Sequence, residues 1–318
     1  MPDTVSRTTD KTSPYLLLTT TMVLWGSGFS SSKQVVEHLP HPVAATLRFG
    51  GGALVLLAVL RLSHRDRAGT SAGDRARRTS PRDWARVAGA GVLGVFAYNM
   101  IFFWGLSLAP AIDGSIIVPV LSPVLTTSFL LVMGRERASA ARIAGLCAGA
   151  AGAVVFFIGT AGAPVTAGGG NRLAGDALFL LSAACWAAFT LTGPRVLAGI
   201  APLTATTYAM LTGAVLLGAY AAPSAAGVAW SGVPASGWLN LAFLVIGPTA
   251  VANLFYYRGI RAVGPASASI MMFVVPVFGI ACSAIFLGES FGAVQAVGAA
   301  VLLIGAVLAV SRGRSGNR

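Results

Sequence analysis

Apolar residues in this chain come in long unbroken runs, and no other feature constrains its folding so strongly. A helix that crosses a bilayer needs roughly 20 such residues, because each backbone polar group must be satisfied within the helix itself. The first run begins near Tyr15 and passes Phe29. It is too long for the apolar part of a cleavable signal, which spans about 7–15 residues, so it reads as a permanent span. Of the 318 residues 55% are hydrophobic and only 10% are charged, with a mean hydropathy of +0.77. A water-soluble surface cannot be covered from that inventory. Ten spans would take roughly 200 residues, leaving enough for short loops and no sizeable soluble domain. The expected fold class is therefore all-α integral membrane.

Hydropathy places spans near 15–36, 42–60, 84–107, 111–133 and 139–158, and again near 174–193, 202–221, 237–258, 266–287 and 291–311. This divides the chain into a cytoplasmic tail (1–14), a first five-span unit (15–158), a connector (159–172), a second unit (173–312) and a short tail (313–318). The connector contains Gly168-Gly169-Gly170 but lacks the Lys-Ser/Thr ending of a phosphate loop. Orientation follows from where Lys and Arg lie. With both termini in the cytoplasm, all of the 22 basic residues except Lys33, Arg48 and Arg172 fall on the inner side. The net charge of +12 is thus a topology signal. The basic segment from Arg61 to Arg86 faces lipid headgroups and cytosol, and without a folded module beside it no nucleic-acid partner is expected.

The two halves match. Asn99-Met-Ile-Phe-Phe-Trp-Gly105 in the third span corresponds to Asn253-Leu-Phe-Tyr-Tyr-Arg-Gly259 in the eighth, an offset of 154 residues at both Asn and Gly. In the next span of each half a proline precedes a glutamate by thirteen positions: Pro123 to Glu136, and Pro276 to Glu289. Trp25 and Trp186 hold comparable places in the first span of each half. Five spans is an odd number, so the second unit enters the membrane from the opposite side. Two inverted five-helix repeats, ten transmembrane helices in all, are an architecture suited to alternating access. Exchanging the conformations of two similar halves turns an inward-open state into an outward-open one.

Trp25-Gly26-Ser27-Gly28-Phe29, Pro42 through Arg48-Phe49, the endings Gly134-Arg135-Glu136 and Gly288-Glu289, and Gly175-Asp176 ahead of Trp186 occur in an order that resembles the EamA-type branch of the drug/metabolite transporter superfamily. The resemblance covers about residues 15–312. It implies a ten-span permease of the bacterial inner membrane, usually an exporter of amino acids, related metabolites or drugs. It also implies secondary transport, with no ATPase, driven by a substrate gradient or a coupling ion such as the proton. Tyr15 to Val36 contains no acid, unlike the first helix of the small four-span multidrug relatives, and this weighs against proton-coupled export of cationic drugs.

Within the spans, the expected substrate cavity is built from Trp25, Tyr98, Asn99, Phe103, Trp186, Asn253 and Tyr257. The two amides either bond between helices or line the path, and the aromatic residues either pack or stack on cargo. Pro119, Pro123 and Pro276 interrupt spans and are expected to act as hinges or to shape them, since each removes a backbone donor. Arg48 is an intramembrane charge. It either snorkels to the headgroups, holds a substrate carboxylate, or pairs with Asp113. Lys33 reads as an interfacial anchor, and Glu136 and Glu289 as caps of neighbouring helices or partners of nearby Arg. Gly145 and Gly149 permit close helix contact, within one chain or between two, so a monomer and a homodimer are both open.

His38, His41 and His64 lie in loops where none reaches a buried serine, and Cys147, Cys185 and Cys282 are far apart in sequence. No catalytic constellation, metal site or cofactor is expected. The expected partners are a small-molecule substrate and the lipid bilayer. Multidrug efflux is the nearest alternative function, and a receptor or scaffold the alternative from another class.

Overall fold

A computed structural model describes residues 13–68, 80–134, 139–161, 172–196, 200–290 and 292–311, excepting the side chains of 64–68, 160–161, 194–196, 202, 257, 260–261, 264–270 and 310–311. Among these residues every regular element is helical. The first half contains α1 (Pro14–Val36), α2 (His41–Ala68), α3 (Pro81–Gly91), a π-helical stretch (Val92–Ala97), α4 (Tyr98–Leu108), α5 (Ala111–Val132) and α6 (Ala140–Ala161). The second contains α7 (Arg172–Val196), α8 (Pro202–Ala226), α9 (Ala235–Leu244), a second π stretch (Val245–Val251), α10 (Ala252–Met271), α11 (Val275–Leu287) and α12 (Ala293–Ser311). Among the described residues, seven helices are long and apolar enough to cross a membrane: His41–Ser63, Pro81–Leu108, Ala111–Val132, Ala140–Gly159, Arg172–Gly193, Leu203–Ala226 and Ala235–Tyr256. Met272–Leu287 and Ala293–Ala309 are shorter apolar helices. α1 has the bounds expected of a first span but is diluted by hydroxyl residues at 19–21, 27 and 30–32.

The outer surface needs a lipid phase. Ile285, Leu239, Val215, Ile304 and Leu54 are each 65% exposed or more, and water would not tolerate such a continuous apolar face. Exposed aromatic residues gather at the helix ends, as at a membrane interface. Trp230 stacks on Trp238 at one end, and Trp84 meets Tyr208 edge-on at the other.

Local sequence explains where several elements start and stop. Ser80 and Asp83 form a reciprocal capping box, with Pro81 in the first turn, so α3 begins at Pro81, within the last part of the basic segment. α11 ends at Gly288, whose φ of +65° only glycine adopts freely. That turn throws the next residue, Glu289, back over the start of α5. There its two carboxylate oxygens accept the N–H groups of Ala111 (2.9 Å) and Ile112 (2.7 Å). The capping role expected of Glu289 is thus seen, whereas Glu136 lies outside the described residues.

Close packing relies on small residues. Gly145 and Gly152 of α6 lie against the backbone of α12 near Ala309 and Leu302, and Gly298 and Gly305 return the arrangement. The Gly145 and Gly149 pair therefore serves packing within the chain. Arg142 at the start of α6 donates to the Ala309 carbonyl in the last turn of α12.

Two features differ from the sequence expectation. The third and eighth spans, read as regular helices, each contain a wide π turn. Their sequences align as Val92-Leu-Gly94 and Val245-Ile-Gly247, 153 residues apart, but Asn99 and Asn253 are 154 apart, so the second stretch holds one more residue. The ninth span, expected from 266 to 287, is divided. α10 continues through Met271, a 3₁₀ turn covers Met272–Val274, and α11 follows. Pro276 sits in the first turn of α11, where its missing N–H leaves no bond unmade. Pro119 and Pro123 lie inside α5, which runs on through both.

Candidate functional site

The helix centres enclose a cavity of about 230 Å³. Its wall draws on α1, α2, α4, α5, both π stretches, α7, α8, α10 and the Met272–Val275 segment, so both halves of the chain contribute. Phe189 and Thr206 extend the wall towards the end where the chain starts and finishes. The opposite end contributes no lining residue and carries an ion pair and a lysine clamp. Arg172 makes two hydrogen bonds to the fully buried Asp113, at 2.7 and 2.8 Å. The Lys33 ammonium donates to the carbonyls of Leu106 and Ala109 at 2.7 and 3.0 Å. Lys33 thus anchors α1 to the end of α4, a more specific task than the interfacial anchoring expected of it.

Eight aromatic rings contribute to the wall. Trp25 lies 4.9 Å from Tyr256, centroid to centroid, and Tyr98 lies 5.0 Å from Trp186. Phe29 meets Phe102 edge-on at 5.4 Å. The Trp25 indole N–H donates to the carbonyl of Pro248 at 3.1 Å, so a backbone group in the second π stretch fixes the orientation of a ring from α1.

The two asparagines repeat one local geometry. Asn99 Nδ2 donates to the Val95 carbonyl at 2.8 Å, and Asn253 Nδ2 donates to the Thr249 carbonyl at 2.6 Å. Each accepting carbonyl lies in a π stretch, where the regular bonding ladder is interrupted. The acceptor is a carbonyl, so the facing atom of each amide must be nitrogen. Both residues line the cavity, and no described residue donates to either Oδ1. These bonds lie within one helix, so the expected bonding between helices is replaced by local bonding combined with a place in the wall.

Arg48 carries the only ionised side chain among the described lining residues. Its Nε donates to Thr249 Oγ1 at 3.3 Å and its Nη1 to Ser32 Oγ at 3.0 Å, and Ser32 in turn donates to the Gly28 carbonyl at 2.6 Å. The guanidinium lies 5.0 Å above the Phe49 ring and 5.9 Å from that of Phe103, both within cation–π range. Asp113 is taken by Arg172, so the expected Arg48–Asp113 pair does not form, and Arg48 stands in the cavity wall bonded to the two hydroxyls.

Trp25, Tyr98, Asn99, Trp186, Asn253, Arg48 and Pro119 come together at this cavity. Phe103 does not line it. It is fully buried behind the wall, supporting Phe49 and Phe102. The Tyr257 side chain lies outside the described residues, and Tyr256 is the lining ring on that helix. Pro123 and Pro276 are likewise absent from the wall. The sequence reading missed Pro248 and Thr249. A proline in the middle of an apolar span, beside a glycine matched by Gly94, was the available signal for a widened turn.

Known proteins agree with this architecture. A solved crystal structure superposes with a TM-score of 0.58 and 22% identity, covering 95% of this chain and 98% of its own. The uncharacterized transporter YyaM of Bacillus subtilis is 25% identical over 295 residues, 93% of this chain and 92% of that protein. A probable terminal-alkyne amino-acid exporter of Streptantibioticus cattleyicolor is 27% identical over 243 residues, 76% of this chain and 78% of that protein. The model of the EamA-like transporter family matches residues 12–158 and again 173–311. With both halves matched and nearly the whole chain accounted for, this protein belongs to the EamA-like transporter family.

Proposed function

We propose that this protein is a secondary transporter that exports small metabolites, amino acids and related compounds foremost, across the bacterial inner membrane by alternating access. The observation that carries this reading is the central cavity, walled by both halves of the chain, with an asparagine at the matching place in each half. Its size suits a single small molecule: an apolar cavity of about 150 Å³ already holds a benzene ring, and about 230 Å³ is present here. The wall is mostly apolar, with eight aromatic rings and a few polar groups, as in sites that enclose an apolar body and orient it by its polar end. A similar chain is named a probable amino-acid exporter, which supports the substrate class.

The ten-span arrangement in two inverted units, with both termini cytoplasmic, belongs to the same proposal. Recurrence of a π stretch before each asparagine supports the inverted repeat, and the distribution of Arg and Lys supports the orientation. The cavity then faces the cytoplasm, with the Asp113–Arg172 end shut.

Flux into proteoliposomes holding the purified protein tests the proposal. The panel contains labelled neutral, aromatic and basic amino acids, with and without an imposed pH gradient. Saturable movement of one class is expected, and a response to the gradient would identify proton coupling. Absence of flux for every amino acid, with folded protein, would overturn the substrate class. Flux of apolar drugs in their place would establish multidrug efflux.

A further inference from the structure

Arg48 is a cation without a counter-charge. Among the described residues no carboxylate pairs with it, and Asp113, the acid that sequence order suggested, is held in a two-bond clamp by Arg172. A guanidinium has five N–H donors. One is used on Thr249 and one on Ser32, both neutral hydroxyls. The second Nη1 hydrogen and both Nη2 hydrogens meet no described protein acceptor. Burying an unpaired charge among apolar helices is costly, and the nearby rings of Phe49 and Phe103 offset only part of that cost.

Resting on the transport reading above, we infer that Arg48 is the substrate anchor of this cavity, and that it selects molecules bearing one carboxylate on an apolar or aromatic body. The free hydrogens of Nη1 and Nη2 form the planar fork that a carboxylate meets with two parallel bonds. A carboxylate is favoured over a phosphate ester because Arg48 is the one cation in the described lining. A dianion would bring one negative charge that nothing in the wall compensates. The rings of Trp25, Tyr98, Trp186 and Tyr256 supply the apolar seat. The bonds to Ser32 and Thr249 fix the guanidinium plane, so the fork is oriented before cargo arrives and little side-chain freedom is lost on binding. This arrangement also links loading to movement: cargo neutralises the cavity before the site is closed off.

The test measures binding to the purified full-length protein through the fluorescence of its tryptophans, without requiring flux. The probes are phenylalanine, N-acetylphenylalanine, phenylalaninamide and phenyl phosphate. Both carboxylates are expected to bind roughly ten- to a hundredfold more tightly than the amide, with phenyl phosphate weaker than either acid. Arg48→Gln should bring acid and amide within about twofold of one another, and Arg48→Lys, which keeps charge but loses the fork, should fall between. The preference of the unaltered protein decides the matter even if a variant fails to fold. Binding of the amide as tight as that of the acids, binding of no carboxylate at all, or tighter binding of phenyl phosphate would each overturn the assignment. Selective carboxylate binding without flux in proteoliposomes would uphold the anchor and overturn the transport reading.

Discussion

At the scale of single residues, the cap and the two cavity amides make separable predictions. Glu289 satisfies two N–H groups that α5 cannot satisfy itself. Glu289→Ala should therefore cost about 1–2 kcal/mol of stability, read as a lower unfolding temperature in detergent. Burial pushes the Glu289 carboxyl above its ordinary value, more strongly than its two backbone hydrogen bonds and the nearby Lys33 pull it down. The folded state then holds the proton more tightly than the unfolded one. The stability this residue confers should fall as pH rises from the ordinary carboxylate range through the raised value. A pH series comparing the protein with Glu289→Gln isolates this, since the glutamine does not titrate. The asparagines concern activity. Asn99→Ala and Asn253→Ala should each lower flux by about tenfold, the worth of one lost polar contact, without matching losses of stability. Unchanged flux in both would refute their place in the substrate path.

At the scale of elements, the π stretches decide which residues face the cavity. A π turn contains one residue more than a regular turn, so it rotates everything beyond it about the helix axis. Deleting one residue from Val245–Val251 should restore regular winding and swing Asn253 and Tyr256 by roughly 100° relative to α9. Loss of flux is expected from a protein that still inserts and remains monodisperse. Retained flux would mean that the widened turn does not set the cavity. Binary hydropathy could not reveal these turns, because it registers how apolar a segment is and not how tightly it winds. The one local clue was Pro248, whose missing N–H leaves the backbone free to widen. The stapled end was legible only in part. Asp113, Arg172, Lys33 and Glu289 were visible as charges near span ends, but their pairing depends on which helix ends the fold brings together.

At the scale of the whole molecule, the proposed orientation has a direct check. In a chain whose three cysteines are replaced by alanine, a cysteine introduced at Ala72, between α2 and α3, should react only with reagents supplied to the cytoplasmic face. Labelling from outside would reverse the topology, and with it the side to which the cavity opens. The bundle owes its stability to a lipid surround and to close contact between small residues. The pairing of α6 with α12 joins the last helix of each half through facing glycines, and neither helix lines the cavity.

What the sequence determined alone follows from forces that act along one segment at a time. Apolar runs of bilayer length dictate membrane helices, since an unpaired backbone group in lipid is too costly for anything else. The bias of Arg and Lys carries the proposed orientation, and the repeated Asn, Gly and Pro–Glu spacings exposed the duplication. Tertiary structure decided which polar groups meet. Arg48 had three readings while its neighbours were unknown. It has one position once Asp113 is seen clamped by Arg172 and Arg48 itself is seen in the cavity wall, bonded to Ser32 and Thr249. Phe102 lines the cavity where Phe103 was expected, for the same reason. Neighbouring rings on one helix differ by about 100° in direction, and only the helices packed around them determine which one faces the cavity and which lies behind its wall.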